Sequence, residues 1–186
     1  MITNKTRYLY LLLIGDVKEL ANLKEVKDNL ERELGLSVKI VQSTINPEGF
    51  FDQKRAQYHS TKLLKEMLSN HLPADALKMM GIISVDLFIP ILTFVFGEAQ
   101  LGGTVGIVSL ARLRQEFYGL PPNQALQQRR LIKEIKHEFG HTFGLIHCPF
   151  RECVMSVANT IADVDAKGTS FCEACKEILR RNQQGV

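Results

Sequence analysis

The sequence predicts a mixed α/β fold: a twisted, mostly parallel sheet of about five strands, with backing helices and one long helix late in the chain. Three observations lead there. Apolar runs alternate with amphipathic helical patterns through about the first ninety residues, giving a βαβαβ order that implies parallel strands with right-handed crossovers. After Pro90 two short apolar runs are joined by a glycine-bearing loop, which suits an antiparallel pair at a sheet edge. Past the Pro121-Pro122 break, helical periodicity continues for about twenty residues.

The elements follow in chain order. Tyr8–Ile14 is an apolar run behind Lys5 and Arg7. It ends in Gly15-Asp16 and not in the small residues of a cleavage site, so a buried strand is expected and not a signal peptide. Val17, Leu20, Leu23, Val26, Leu30 and Leu34 recur at helical spacing, and Gly35 stands where a C-cap belongs. Val38, Ile40 and Val41 begin a second strand running towards Ile45, broken by Asn46-Pro47-Glu48-Gly49. A second helix is expected at about Thr61–Asn70, with Leu63, Leu64, Met67 and Leu68 on one side, and Gly81–Asp86 reads as a third buried strand. Phe94–Phe96 and Gly106–Leu110 read as two more strands around the Leu101–Gly103 loop. A helix through Arg112–Phe117 stops at the prolines, and the long helix runs from about Asn123 to Phe143, buried through Leu131, Ile135 and Phe139. Beyond Gly144 the chain is expected to be loop-rich until a last short helix near Cys175–Arg181.

At 186 residues and 21.0 kDa the chain fits a single domain, residues 1–186. Hydrophobic residues at 45% and charged residues at 23% exclude long disorder. A net charge of +3 is too slight to argue for nucleic acid or an anionic membrane. No apolar stretch approaches the roughly eighteen residues that would span a bilayer. The expectation is a cytoplasmic monomer with no nucleic-acid or membrane partner. Cytoplasmic thiols stay reduced, so the four cysteines are read as metal ligands or free thiols before disulfides.

The stretch that carries chemistry runs from His137 to His147 and contains Glu138, His141 and Gly144. On a helix His137 and His141 are about 40° apart around the axis and one turn apart along it, so their imidazoles project side by side and can share one metal ion. Glu138 flanks that metal, placed to act on water there without ligating the ion. On a continued helix His147 would lie about 15 Å from His137, out of reach. The chain must therefore leave the helix before it, and Gly144 is the residue that can take the left-handed turn. Three neutral imidazoles and an open position make a catalytic site and not a closed structural one. A chance match to these five positions arises roughly twice in a hundred thousand chains of this composition, so the alternative of surface histidines beside a helix-stop glycine is set aside. His59 and His71 have no such setting and read as surface or partly satisfied residues.

With Met155 eight residues after His147, this segment resembles the metzincin metallopeptidases, which share H-E-x-x-H-x-x-G-x-x-H followed by a methionine in a tight turn. Plain core packing is the other reading of Met155. Cys148 directly after the last histidine, then Cys153, then Cys172-Glu-Ala-Cys175, narrow the likeness to the archaemetzincins. The resemblance implies a catalytic zinc on His137, His141 and His147 with Glu138 as general base, and a second, structural zinc on Cys148, Cys153, Cys172 and Cys175. It also implies an upper subdomain of about residues 1–144, holding the active-site helix, and a lower one of about 145–186 with the Met-turn and the cysteines. Some metzincins carry a tyrosine shortly after the Met-turn that helps the oxyanion; here Ser156, Val157 and Ala158 occupy that region. Read without the family, C-x4-C…C-x-x-C already offers four soft ligands in two close pairs, the layout of a closed zinc site, with two disulfides or buried free thiols as alternatives.

Arg129, Arg130, Lys133 and Lys136 crowd one stretch of the long helix and read as a solvated face, or else as a patch for acidic substrates or nucleic acid. The edge near Phe94–Phe96 offers unpaired backbone groups to an extended peptide, unless the Gly102-Gly103 loop covers it. The function expected is a zinc metallopeptidase acting on a peptide or small protein with Glu138 as the base. The alternative is a non-enzymatic two-zinc module binding a peptide or nucleic-acid partner.

Overall fold

The computed structural model describes residues 7–184, so Lys5, one of the cations expected before the first strand, lies outside the described residues. Strand β1 (Tyr8–Ile14) leads through a 3-10 turn to α1 (Leu23–Leu34), β2 (Val38–Gln42), and the short strands β3 (Phe51–Asp52) and β4 (Gln57–His59). Helix α2 (Ser60–Asn70), β5 (Ala76–Ile83), β6 (Leu87–Phe88), β7 (Gly97–Ala99) and β8 (Val105–Ser109) follow. The chain ends in α3 (Gln124–Thr142), α4 (Ile161–Ala166) and α5 (Glu173–Gln184).

The main sheet has the order β2-β1-β5-β8-β7, parallel throughout except for β7, which runs antiparallel to β8 and forms an edge. Strand β1 is apolar at every position because both of its faces are covered. Leu9, Leu11 and Leu13 pack towards α1, α3 and the C-terminal segment, while Tyr10, Leu12 and Ile14 pack towards α2. This is the mostly parallel five-stranded sheet that the βαβαβ pattern implies.

Several elements differ from the sequence expectation. Helix α1 starts at Leu23, because the Asn22 side chain accepts from the Glu25 N–H and caps it there, so Val17 lies before the separate 3-10 turn Lys18–Leu20. Gly35 closes α1 at φ 66°, as its position suggests. Strand β5 begins five residues before Gly81. The lysine that hides its start, Lys78, is buried and donates to the carbonyls of Gly103 (2.7 Å) and Thr142 (2.8 Å). Leu68 is exposed, since α2 buries only Ser60, Leu63, Leu64 and Met67. The edge strand is Gly97–Ala99 and not Phe94–Phe96, because the Val95 N–H is drawn off to the Leu87 carbonyl of a second small sheet, β3-β4-β6. Arg112–Phe117 forms two 3-10 turns and no α-helix. Helix α4 falls within the stretch expected to be loop, and α5 is longer at both ends than expected.

Candidate active site

Helix α3 carries the chemistry and is held on all sides. The Asn123 side chain caps it, accepting from the Leu126 N–H at 2.9 Å, and every residue from Arg130 to Gly140 is buried. This overturns the solvated-face reading of its basic cluster: Arg129 alone is exposed. The Arg130 guanidinium forks onto Asp165 (2.7 and 2.6 Å) and donates to the Leu113 carbonyl (2.9 Å). Lys133 donates to the carbonyls of Val164 and Asp165, both at 2.9 Å, and Lys136 to that of Thr169 (2.8 Å) beside Glu33. Glu134 forms an ion pair with Lys167 at 2.7 Å. These long side chains bury their stems and find partners for their heads, which is how a buried cation is tolerated. Together they fasten residues 164–169 along the helix.

The three histidines converge at the C-terminal end of α3. The His137 Nδ1 lies 2.9 Å from the Val154 carbonyl and the His141 Nδ1 lies 2.7 Å from the Leu145 carbonyl. A carbonyl can only accept, so each Nδ1 holds the ring proton and each Nε2 presents a lone pair. Those two Nε2 atoms face each other at 3.0 Å. Gly144 takes φ 87°, and the turn does two jobs: it aims the Leu145 carbonyl back at His141, and it returns the chain so that His147 reaches the same point. Ligand atoms of the three rings lie within 4.8 Å of one another. Burial lowers the basicity of all three imidazoles, with the Lys167 ammonium reinforcing the effect, most strongly at His137. A neutral imidazole is the form a metal requires.

Two facing lone pairs repel unless a cation lies between them, and 3.0 Å is close to the roughly 3.3 Å edge of a tetrahedron with zinc–nitrogen bonds of 2.0–2.1 Å. The donor set thus fits zinc. The second cluster fits as well. Cys148, Cys153, Cys172 and Cys175 are free thiols gathered within 4.8 Å, and the Sγ atoms of Cys148 and Cys172 lie 3.8 Å apart, near the edge of about 3.8 Å expected for four 2.3 Å zinc–sulfur bonds. Burial, together with the neighbouring thiols, pushes Cys175 far up, and burial raises Cys153. Cys172 is held below its ordinary value, against the effect of burial, by the Cys175 backbone N–H and the other thiols.

A cleft of about 500 Å³ opens at the histidines, lined also by residues 92–99 and by Val157, Ala158 and Asn159. Glu138 lines it, buried, its carboxyl pushed well above the usual carboxylate range by burial and then by Glu134. Gly97 of the edge strand lies directly against Glu138: a Cβ there would stand 2.6 Å from Oε1 and 2.8 Å from Cγ.

Known proteins agree with this geometry. Residues 10–181 match the family model described as Peptidase family M54. The chain is 41% identical over 167 residues to the archaemetzincin of Methanocaldococcus jannaschii, covering 90% of this chain and 89% of that one. The chain belongs to the archaemetzincins. It also superimposes on the crystal structure of the Methanopyrus kandleri archaemetzincin with a TM-score of 0.83 at 32% identity, covering 99% of both chains. A zinc-dependent peptidase from Methanocorpusculum labreanum matches with a TM-score of 0.80 at 31% identity, covering 92% of this chain and 99% of that one. As an archaemetzincin the chain is a zinc-dependent metallopeptidase with peptide substrates, which sets aside the non-enzymatic module. No helix among the described residues is long and apolar enough to cross a membrane.

The structure brings together all three histidines with Glu138, and separately all four cysteines. His59 and His71 lie elsewhere: His59 packs 5.0 Å from the Phe88 ring with its Nδ1 buried and unpaired among the described residues, and His71 lies 3.3 Å from Glu66. Met155 satisfies both readings, being fully buried and in a tight turn, where Ser156 N–H donates to the Cys153 carbonyl at 3.0 Å. Its sulfur would stand 2.4 Å from a Cβ at Gly140, so the glycine inside the archaemetzincin motif makes room for the methionine beneath it. Sequence reasoning missed Gly97, for which a lone sequence carries no signal. It also missed the Glu134–Lys167 pair, hinted at only by Glu134 standing one helical turn before Glu138.

Proposed function

We propose that His137, His141 and His147 hold the catalytic zinc, that Glu138 is the general base, and that Cys148, Cys153, Cys172 and Cys175 hold a structural zinc. The observation that carries the reading is the pair of Nε2 lone pairs facing each other at 3.0 Å, a contact that only a cation makes favourable. Zinc supplies Lewis acidity in such a position, making water more acidic and the scissile carbonyl more electrophilic. Glu138 takes a proton from the attacking water as its oxygen bonds to the carbonyl carbon and the π pair moves onto the carbonyl oxygen. The same carboxyl then gives that proton to the leaving nitrogen as the C–N bond breaks and the carbonyl re-forms, yielding a carboxylic acid and an amine that exchange a proton to leave as carboxylate and ammonium. A carboxyl raised by burial suits both halves of that exchange.

The substrate is an extended peptide segment, from a peptide or small protein, laid along β7. Ser109 N–H donates to the Phe96 carbonyl and Gln100 N–H to the Val105 carbonyl, so residues 96, 98 and 100 face β8. The backbone groups of Gly97 and Ala99 therefore point to the open edge, beside Glu138, where a peptide can pair with them. Residues 1–144 and 145–186 act as the upper and lower subdomains of one catalytic unit. All seven donors come from one chain, which supports a monomer, and four free thiols support a reducing compartment, the cytoplasm.

The test is cleavage of a diverse peptide library by zinc-loaded protein against Glu138→Ala at matched zinc content. The variant is expected to keep both metals and lose at least about 100-fold in turnover; residual activity above about 1% would remove Glu138 from the base role.

A further inference from the structure

One stretch of the cleft wall, residues 157–159, follows the Met155 turn. Val157 and Ala158 present methyl groups there, and the Ser156 hydroxyl is turned away, donating to the Arg151 carbonyl at 3.2 Å. Asn159 is the residue of this wall whose side chain carries N–H donors. Its backbone is fixed: Asp163 Oδ2 accepts from the N–H groups of Asn159 (3.1 Å) and Thr160 (2.8 Å) and from the Thr160 hydroxyl (2.8 Å). Its side-chain amide is uncommitted among the described residues.

The charges around the cleft sharpen the point. The lining includes Glu98, Glu134 and Glu138 and contains no lysine or arginine. The nearest ammonium, Lys167, has a side chain only 1% exposed and is held by Glu134. Negative charge that develops on a carbonyl oxygen in this cleft therefore has no protein cation to meet it. A neutral amide donor can stabilise that charge without drawing Glu138 into an ion pair.

We propose that Asn159 is a catalytic residue: its Nδ2–H donates to the scissile carbonyl oxygen as that oxygen gains negative charge. The proposal rests on the peptidase reading of the cleft given above. A substrate lying along β7 enters the cleft that Glu138, the three histidines and the exposed Asn159 line together, which puts base and donor within one site.

The experiment compares wild type, Asn159→Ala and Asn159→Asp at matched zinc content. It uses the library peptide that the wild type cleaves fastest, and a phosphinic peptide of the same sequence whose tetrahedral anion replaces the scissile amide. Asn159→Ala is expected to lower kcat about 100-fold with KM within about twofold, and to weaken the phosphinic peptide in the same proportion. Asn159→Asp keeps the shape but only accepts, so it is expected to be worse than alanine on both measures; a merely structural role would make it milder. Unchanged kcat and phosphinic-peptide affinity in Asn159→Ala, a loss confined to KM, or an aspartate milder than alanine would each overturn the assignment while the peptidase reading stands. A wild type that neither cleaves nor binds the phosphinic peptide overturns the reading beneath it, and Asn159 falls with it.

Discussion

The two donor clusters are neighbours in the chain, His147 beside Cys148, yet they are built on opposite plans. Two of the histidines stand on a helix buried on every side, their rings aimed by the carbonyls of Val154 and Leu145 and kept neutral by burial. That cluster is ready for a cation without giving up a proton. The cysteines come from the loop after His147, the Met155 turn and the start of α5, and burial holds Cys153 and Cys175 protonated. That cluster must shed protons as metal arrives, so its order and its metal come together. On the proposed assignment, the difference separates a site preorganised for chemistry from a site that supplies folding energy.

Removing metal breaks the comparison most sharply. A chelator that strips only the histidine site is expected to abolish cleavage and leave the fold intact. Stripping the cysteines forfeits binding free energy on the order of 10 kcal/mol and loosens residues 145–184. Hydrogen exchange reads the difference, and equal protection of that segment in both states would deny the cysteines a structural role. Next in size is Lys167→Ala, which strands Glu134 as a buried, unpaired carboxylate. The expected cost is about 3–5 kcal/mol by urea unfolding, largely recovered when Lys167→Met is combined with Glu134→Leu. The preorganised site is probed by Gly97→Ala, whose methyl group would overlap the Glu138 carboxylate. About 100-fold in kcat/KM should be lost with zinc content unchanged, since displacement of a reacting group by about 1 Å costs that much. A loss below about threefold would show that Glu138 has room to move.

The smallest effect is in pH. In metal-free protein, burial depresses His137 and His141 below the unfolded value of about 6.5, so the unfolded chain binds more protons under acid conditions. Stability is complete above about pH 6.5 and declines below it, by at most about 1.4 kcal/mol per pH unit for each histidine, until the folded rings also protonate. Unfolding at stepped pH checks this, and a stability that rises on acidification would reverse the sign.

How far the sequence could be read follows from the range of the interactions involved. The five-stranded sheet was legible because β1, β2 and β8 and the intervening helices carry dense apolar periodicity. β5 was displaced because Lys78 looks like a surface residue until the carbonyls of Gly103 and Thr142 arrive to cap it. Strands β3, β4 and β6, at two or three residues, are too short to have a period. At the site, the grouping of His137, Glu138 and His141 follows from local helical spacing, and that of His147 from a single glycine turn. The partners of Arg130 and Lys133 are distant in the chain, Asp165 and Val164 more than thirty residues away and the Leu113 carbonyl 17, so nothing nearby announces that these cations are buried. Gly97 meets Glu138 only because β7 crosses α3 in space.

Strand β8 ends at Ser109, and all seven proposed metal donors stand between His137 and Cys175. During synthesis, therefore, every strand of the sheet has been made before the first of these seven donors leaves the ribosome, and N-terminal structure can form first. The four thiols emerge after the sheet, onto a scaffold whose strands have already been made. A nascent chain of this order exposes its soft, oxidisable ligands only after the sheet beneath them has been made.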